Sequence, residues 1–234
     1  MSQGLVLAVD TATDSVVAGV AELRDGEVRV LAERVVADHR RHAELLTTLV
    51  AECLAESGTA RTELTAVVVG CGPGPFTGLR VGMATGAAFA DALGIPAYGV
   101  CSLDALAVDA GPDDAGSRAL VVTDARRREV YWALYEGGRR VRGPEVTAPA
   151  VVAEELAPDV AGGRIGAVAG SAAHLELAGW TGDPPATGVP TVRGVVMAAA
   201  ADIVAGAEPE PLVPLYLRRP DAVEQKARRA GVAR

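Results

Sequence analysis

The chain has 234 residues, half of them apolar and 22% charged, with 22 basic against 30 acidic residues and a net charge of −8. This composition excludes a disordered chain, and the length suits one domain or two closely joined lobes that need no disulfide or metal to hold a core. A globally acidic surface repels phosphate backbones, which argues against broad nucleic-acid binding by the chain alone. No apolar run reaches the ~18 residues of a membrane span, and the start lacks the basic segment and cleavage site of a signal peptide. Cys53, Cys71 and Cys101 have no metal-type spacing and leave one thiol unpaired, which fits a reducing cytoplasm.

The elements follow in order. Residues 4–10 are an apolar run ending in Asp10, and residues 15–23 are a second. Asp25-Gly26 is a hairpin signal, and residues 27–36 make a third strand. Over 40–57 the period changes. Leu45, Leu46, Leu49, Val50, Cys53 and Leu54 recur at three and four, which predicts an amphipathic helix stopping at Gly58. A buried strand over 65–70, a glycine–proline loop, an apolar helix over 78–93, a strand over 95–100 and a short helix over 102–110 complete the first half. Strands then give way to alternating helices and strands, the mark of a mixed α/β sheet.

Near residue 118 the plan restarts. Leu5 to Asp10 is followed by a strand opening at Val16, and Ala119 to Asp124 by one opening at Val130, an offset of 114 in both cases. Residues 143–163 are rich in proline, alanine and glycine. A short strand over 165–170, a helix over 194–206, an extended connector from Pro209 to Pro214 and a closing segment to Arg218 follow. In the tail, Arg218, Arg219, Lys226, Arg228, Arg229 and Arg234 face only Asp221 and Glu224. This basic end reads either as solvated charge or as an RNA contact.

Several segments have chemistry to consider. The loop from Gly70 to Gly78 stands between a strand and a helix, where backbone amides can cradle phosphate. Yet the chain's one lysine, Lys226, is far away, which excludes a Walker-type NTPase, and the glycine pattern of a dinucleotide fold is not spelled. A rigid turn with Thr77 as helix cap is the other reading. Asp10, Thr11 and Thr13 could hold a metal-bound water and phosphate, or simply satisfy their own turn. His39, His42 and His174 lack zinc-site spacing, so no metal is expected, and no Ser–His–Asp arrangement is distinguishable. In the helix over 78–93, Gly78, Gly82 and Gly86 line one face, at roughly 1 kcal/mol per interior glycine. That expense points to close approach of another backbone. The helix is apolar all round, so either the chain itself or another protein covers its far side.

Leu7 to Thr13, Gly72 to Gly82 with its Phe76-Thr-Gly-Leu-Arg80, Gly94-Ile-Pro96, Asp124-Ala-Arg126 with Glu129-Val-Tyr131, and Pro214 to Arg218 resemble the TsaB (YeaZ) family, in order and over most of the chain. One departure is Pro75, where that family usually has serine. The resemblance implies an actin-like/Hsp70-like ATPase fold (α/β) with two related lobes, 1–103 and 104–234, and a degenerate nucleotide cleft. It implies a cytoplasmic, non-catalytic role in making N6-threonylcarbamoyladenosine at position 37 of tRNAs that read codons starting with adenine. The implied partners are the catalytic paralogue TsaD, the P-loop ATPase TsaE, and a second copy of the chain when TsaD is absent. Contact with tRNA comes through the complex, and no cofactor or membrane is involved.

Family members pair through first-lobe helices, which assigns Leu45, Leu46, Leu49, Gly78, Leu79, Gly82, Thr85, Gly86 and Phe89 to the partner interface. Asp10, Thr11 and Thr13 become a vestigial phosphate loop. The metal-binding histidines of TsaD-like enzymes fall here on Ser102 and Leu106, neither a useful ligand. The glycine phosphate turn of active relatives is replaced by Asp124 to Glu129, where arginines do not suit a tight turn and are expected to fill the cleft. The competing expectation is an actin-like-fold enzyme in its own right, a kinase or glycoprotease-like hydrolase.

Overall fold

The computed structural model describes residues 3–38, 42–111 and 117–218. His39 and the basic residues from Arg219 onward lie outside the described residues. Strands β1 (Gln3–Asp10), β2 (Ser15–Arg24) and β3 (Glu27–Ala37) form an antiparallel meander, with the β2–β3 turn at Asp25-Gly26. Helix α1 (His42–Ser57) follows, then β4 (Leu64–Gly70), α2 (Phe76–Leu93), β5 (Ala97–Val100) and α3 (Ser102–Ala110). The second half contains β6 (Arg118–Asp124), β7 (Val130–Glu136), β8 (Arg139–Thr147), α4 (Pro149–Ala161), β9 (Ile165–Gly170), α5 (Ala172–Leu177) and α6 (Val192–Ala205).

The restart near residue 118 is a structural duplication. One sheet has the order β3-β2-β1-β4-β5 and the other β8-β7-β6-β9. In each, the first strand pairs antiparallel with the second and parallel with the fourth. Both parallel pairs even carry a register shift at the same place, between Leu5 and Val6 and between Arg118 and Ala119.

That shift corrects the offset of 114. Val6 and Ala119 are equivalent, 113 residues apart, whereas Val16 and Val130 keep 114. Side-chain alternation agrees. Leu7 and Val9 point toward α1 and α2, and Leu120 and Val122 point toward α4 and α5. The structural counterpart of Asp10 is therefore Thr123, and Asp124 faces the other side of its sheet.

The apolar stripe of α1 is buried as its period predicts, with Leu46, Val50 and Cys53 fully covered against β2 and β4. Helix α2 begins two residues earlier than expected. Pro75 occupies the cap position, Thr77 lies inside the first turn, and Gly94 closes the helix in the left-handed conformation. The loosely composed stretch after residue 143 is more ordered than its composition suggests. It holds the end of β8 and then α4, which Pro149 opens at a position where a missing N–H is harmless. Helix α5 also went unforeseen.

Four apolar clusters lie on the faces of the two sheets. Helix α3 sits between the sheets, giving Ala105 to the cluster on the first and Leu103 and Leu106 to that on the second. Helix α6 returns to the first sheet, where Val192, Val195, Val196 and Ala199 cover Val6, Ala8, Val17 and Val68. A division of the chain at residue 103 is therefore crossed by α6. Among the described residues no helix is long and apolar enough to span a membrane.

Candidate functional site between the two sheets

The first strand of each sheet ends in a turn facing a common cleft. At the end of β1, Asp10 and Thr11 are fully buried. The Asp10 carboxylate accepts from the Ala12 amide at 2.8 Å and from the Ser102 hydroxyl at 2.6 Å. Burial pushes its pKa up, and these two hydrogen bonds pull it partly back. Ser102 thus holds a carboxylate. Leu106 is buried in the core between the sheets. Among the described residues no group of three or more His, Cys, Asp and Glu side chains is placed to hold a metal.

Thr11 explains the glycine stripe of α2. Its hydroxyl donates to the Gly78 carbonyl at 2.7 Å and accepts from the Gly82 amide at 3.1 Å. Those two groups would pair with each other in an uninterrupted α-helix. A Cβ on Gly82 would lie 2.3 Å from the Thr11 hydroxyl, and one on Gly86 2.4 Å from Val69. The groups that come close to these two glycines are side chains of the same chain, not the other backbone that was expected.

The glycine–proline loop closes over the same turn. A Cβ on Gly74 would lie 2.0 Å from the Ala12 carbonyl oxygen, and one on Gly70 1.8 Å from the Asp10 carboxylate. The chain's own loop thus packs directly on the turn that carries Asp10.

The expected partner-interface residues separate accordingly. Leu46, Leu49, Gly78, Leu79, Gly82 and Gly86 are buried within the chain, so none presents a surface. Leu45, Thr85 and Phe89 are half-buried. The exposed faces of the two helices carry small residues (Thr47, Thr48, Ala51 and Ala55 on α1, Ala84, Ala87, Ala88 and Ala92 on α2) among the charged Glu44, Glu52 and Glu56 of α1 and Arg80 and Asp91 of α2.

The second turn differs. Against expectation it closes tightly on arginines: Arg126, Arg127 and Arg128 all have positive φ, at 61°, 54° and 63°. The Ala125 amide donates to the Glu129 carbonyl and the Glu129 amide to the Arg126 carbonyl, both at 3.0 Å, aided by the Arg126 amide donating to Asp124 at 2.7 Å. The Arg126 side chain enters the cleft as foreseen, pairing with Asp124 and, across the cleft, with Asp14.

Two cavities result. One of about 320 Å³ lies beside Pro75, Phe76, Arg126, Arg127, Tyr216 and Arg218. Phe76 stacks on Tyr216 at 5.0 Å, with the Arg80 guanidinium 3.9 Å above the Phe76 ring. Arg218 donates to the Ala125 carbonyl and pairs with Glu129. The other, of about 180 Å³, is lined by Thr13, Asp14, Thr123, Asp124, Ser171 and His174 among others. Thr13, expected in the vestigial loop, thus lines a cavity that Asp10 and Thr11 do not reach. His174, which has no metal-type spacing, stands 2.7 Å from Ser171 and 3.5 Å from Asp124. The Ser-x-x-His spacing at the end of β9 was the available sequence signal.

Two sheets of one topology meeting at a cleft, each with a hairpin turn at its rim, define an actin-like, Hsp70-like ATPase fold. A solved structure of YeaZ from Pseudomonas aeruginosa superimposes with a TM-score of 0.68 at 26% identity, covering 92% of this chain and all of that one. The family model described as TsaD: tRNA N6-adenosine threonylcarbamoyltransferase matches residues 29–169. An uncharacterized protein of Mycobacterium tuberculosis is 52% identical over 93% of both chains. One of Mycobacterium leprae is 51% identical over 93% of this chain, but the match spans only 56% of that protein. The tRNA threonylcarbamoyladenosine biosynthesis protein TsaB of Escherichia coli is 37% identical over 56% of this chain and 54% of its own length. The chain belongs to the TsaD/TsaB (YeaZ) family.

Proposed function

We propose that the chain is the non-catalytic, activating subunit of a cytoplasmic complex that forms N6-threonylcarbamoyladenosine on tRNA. The observation that carries this reading is the closed turn at Asp10. In an actin-like fold the first-strand turn must face a nucleotide to act, and here Asp10 and Thr11 are fully buried beneath the Gly70–Gly78 loop. The names of the curated TsaB relatives supply the pathway. The partner is a TsaD-type transferase, joined by the P-loop ATPase TsaE, with a second copy of this chain as substitute when TsaD is absent. The first lobe offers the docking face. On it, the exposed alanines and threonines of α1 and α2 let another pair of helices approach closely, much as small residues do in tight helix packing. Leu45, Thr85 and Phe89 lie at the margin of that face, and the buried glycines shape it from beneath.

The test is an omission assay with TsaD, TsaE, tRNA, ATP and the threonylcarbamoyl donor. Modified adenosine is expected only when the chain is present, and Ala84→Arg or Ala87→Arg on the exposed face of α2 is expected to abolish it while the chain stays folded. Equal product without the chain would overturn the reading, as would ATP hydrolysis by the purified chain that disappears in Asp10→Ala.

A further inference from the structure

We propose that Ser171, His174 and Asp124 form a hydrolytic triad acting on small acyl esters in the cavity of about 180 Å³ that they help to line. Ser171 is the single residue between the end of β9 at Gly170 and the start of α5 at Ala172. This is a strand-to-helix turn at the carboxyl end of a parallel strand, where open α/β sheets place reactive groups. The turn is sharp. Gly170 has φ +104°, and a Cβ there would lie 2.0 Å from the Val122 carbonyl oxygen.

The serine hydroxyl lies 2.7 Å from His174 Nδ1, and His174 Nε2 lies 3.5 Å from Asp124 Oδ1. A serine and a histidine three residues apart could be a local pairing alone. The third member comes from β6, on a different strand, and it faces this side of the sheet because of the register described above. In the tautomer that carries its proton on Nε2, on the side of Asp124, Nδ1 is left to accept the serine proton. The nitrogens thus exchange the roles they have in chymotrypsin-type triads. The His174 and Asp124 side chains remain 25% and 30% exposed, so the site is open to a ligand. Thr13, Thr123 and Val189 complete a wall with room for a short acyl group but not for a peptide.

Ser171 Oγ attacks the ester carbonyl as its proton passes to Nδ1, and the tetrahedral adduct collapses to acyl-Ser171. The leaving alkoxide takes that proton and departs as the alcohol. Water then attacks the acyl group, giving its proton through Nδ1 to the departing Oγ, and the acid is released. No oxidant, reductant or metal is needed, and the proposal does not rest on the tRNA-modification reading.

The full chain is treated with a fluorophosphonate probe, and the adduct is located by intact mass and peptide mapping. Hydrolysis of p-nitrophenyl acetate is followed in parallel. A single adduct on Ser171 of the unaltered chain is expected. Ser171→Ala should lose both signals, His174→Gln should lower labelling at least ~100-fold, and Asp124→Asn at least ~10-fold. Ser171→Cys, checked for folding by circular dichroism, should lose ester turnover to iodoacetamide. Absence of the Ser171 adduct where a known serine hydrolase is labelled would overturn the proposal. So would ester hydrolysis unchanged in folded Ser171→Ala.

Discussion

The two hairpin turns at the cleft occupy matching places in a duplicated sheet and solve opposite problems. The turn after β1 begins buried, holds the Asp10 carboxylate without a cationic partner, and is closed by glycines that let backbone and side chain meet. The turn after β6 is more exposed, crowded with arginines, and held by ion pairs and backbone hydrogen bonds. The Asp10 end of one copy has become part of the core, while the other remains a surface.

Four substitutions test that contrast, from the largest effect downward. Gly74→Val places a side chain against the Ala12 backbone, which cannot move without shifting β1. A loss of about 3 kcal/mol is expected in urea denaturation, at the upper end for overpacking. Thr11→Val keeps the shape but leaves the Gly78 carbonyl and Gly82 amide without the hydroxyl. About 2 kcal/mol should be lost by the same measurement.

Asp10→Asn acts through pH. The raised native pKa of Asp10 means that the folded state holds the proton more tightly than the unfolded chain. Its contribution is fully present below the unfolded carboxylate pKa of about 3.9 and is lost as pH rises through the native value. Asparagine still accepts from the Ala12 amide, and its NH₂ can donate to Ser102 Oγ. The variant should be at least as stable as the parent at pH 8, with a flatter fall in urea midpoint as pH rises above about 4. Asp109, whose pKa burial also raises, adds slope of the same sign in both proteins. Smallest is Arg128→Gly in the second turn. Glycine relieves one left-handed residue but carries more unfolded-state entropy, so thermal denaturation should show a gain of at most about 1 kcal/mol.

The sequence revealed periodicities and failed where meaning depended on direction. The strands and helices of the first half, and the doubling itself, follow from apolar runs and turn residues. The stripe of Gly78, Gly82 and Gly86 signalled close approach, but spacing cannot say whether the approaching group is backbone or side chain, or whether it belongs to the same chain. The Asp10/Asp124 match looked perfect in letters and was displaced by one residue in space. A one-residue shift flips a side chain through a sheet, and so Asp124 meets His174 instead of the core. Ser171 and Asp124 are separated by the whole of β7, β8, α4 and β9, and the parallel pairing of β6 with β9 brings them together.

The return of α6 to the first sheet also has a consequence in time. Val6, Ala8, Val17 and Val68 present their apolar side chains to a helix encoded roughly 125 to 185 residues later. At synthesis rates of about 5–20 residues per second, that face waits on the order of 6–40 s before its cover is made. During this interval the nascent first sheet is a half-finished surface, open to chaperones or to aggregation. A truncation ending before Thr191 would leave it so permanently.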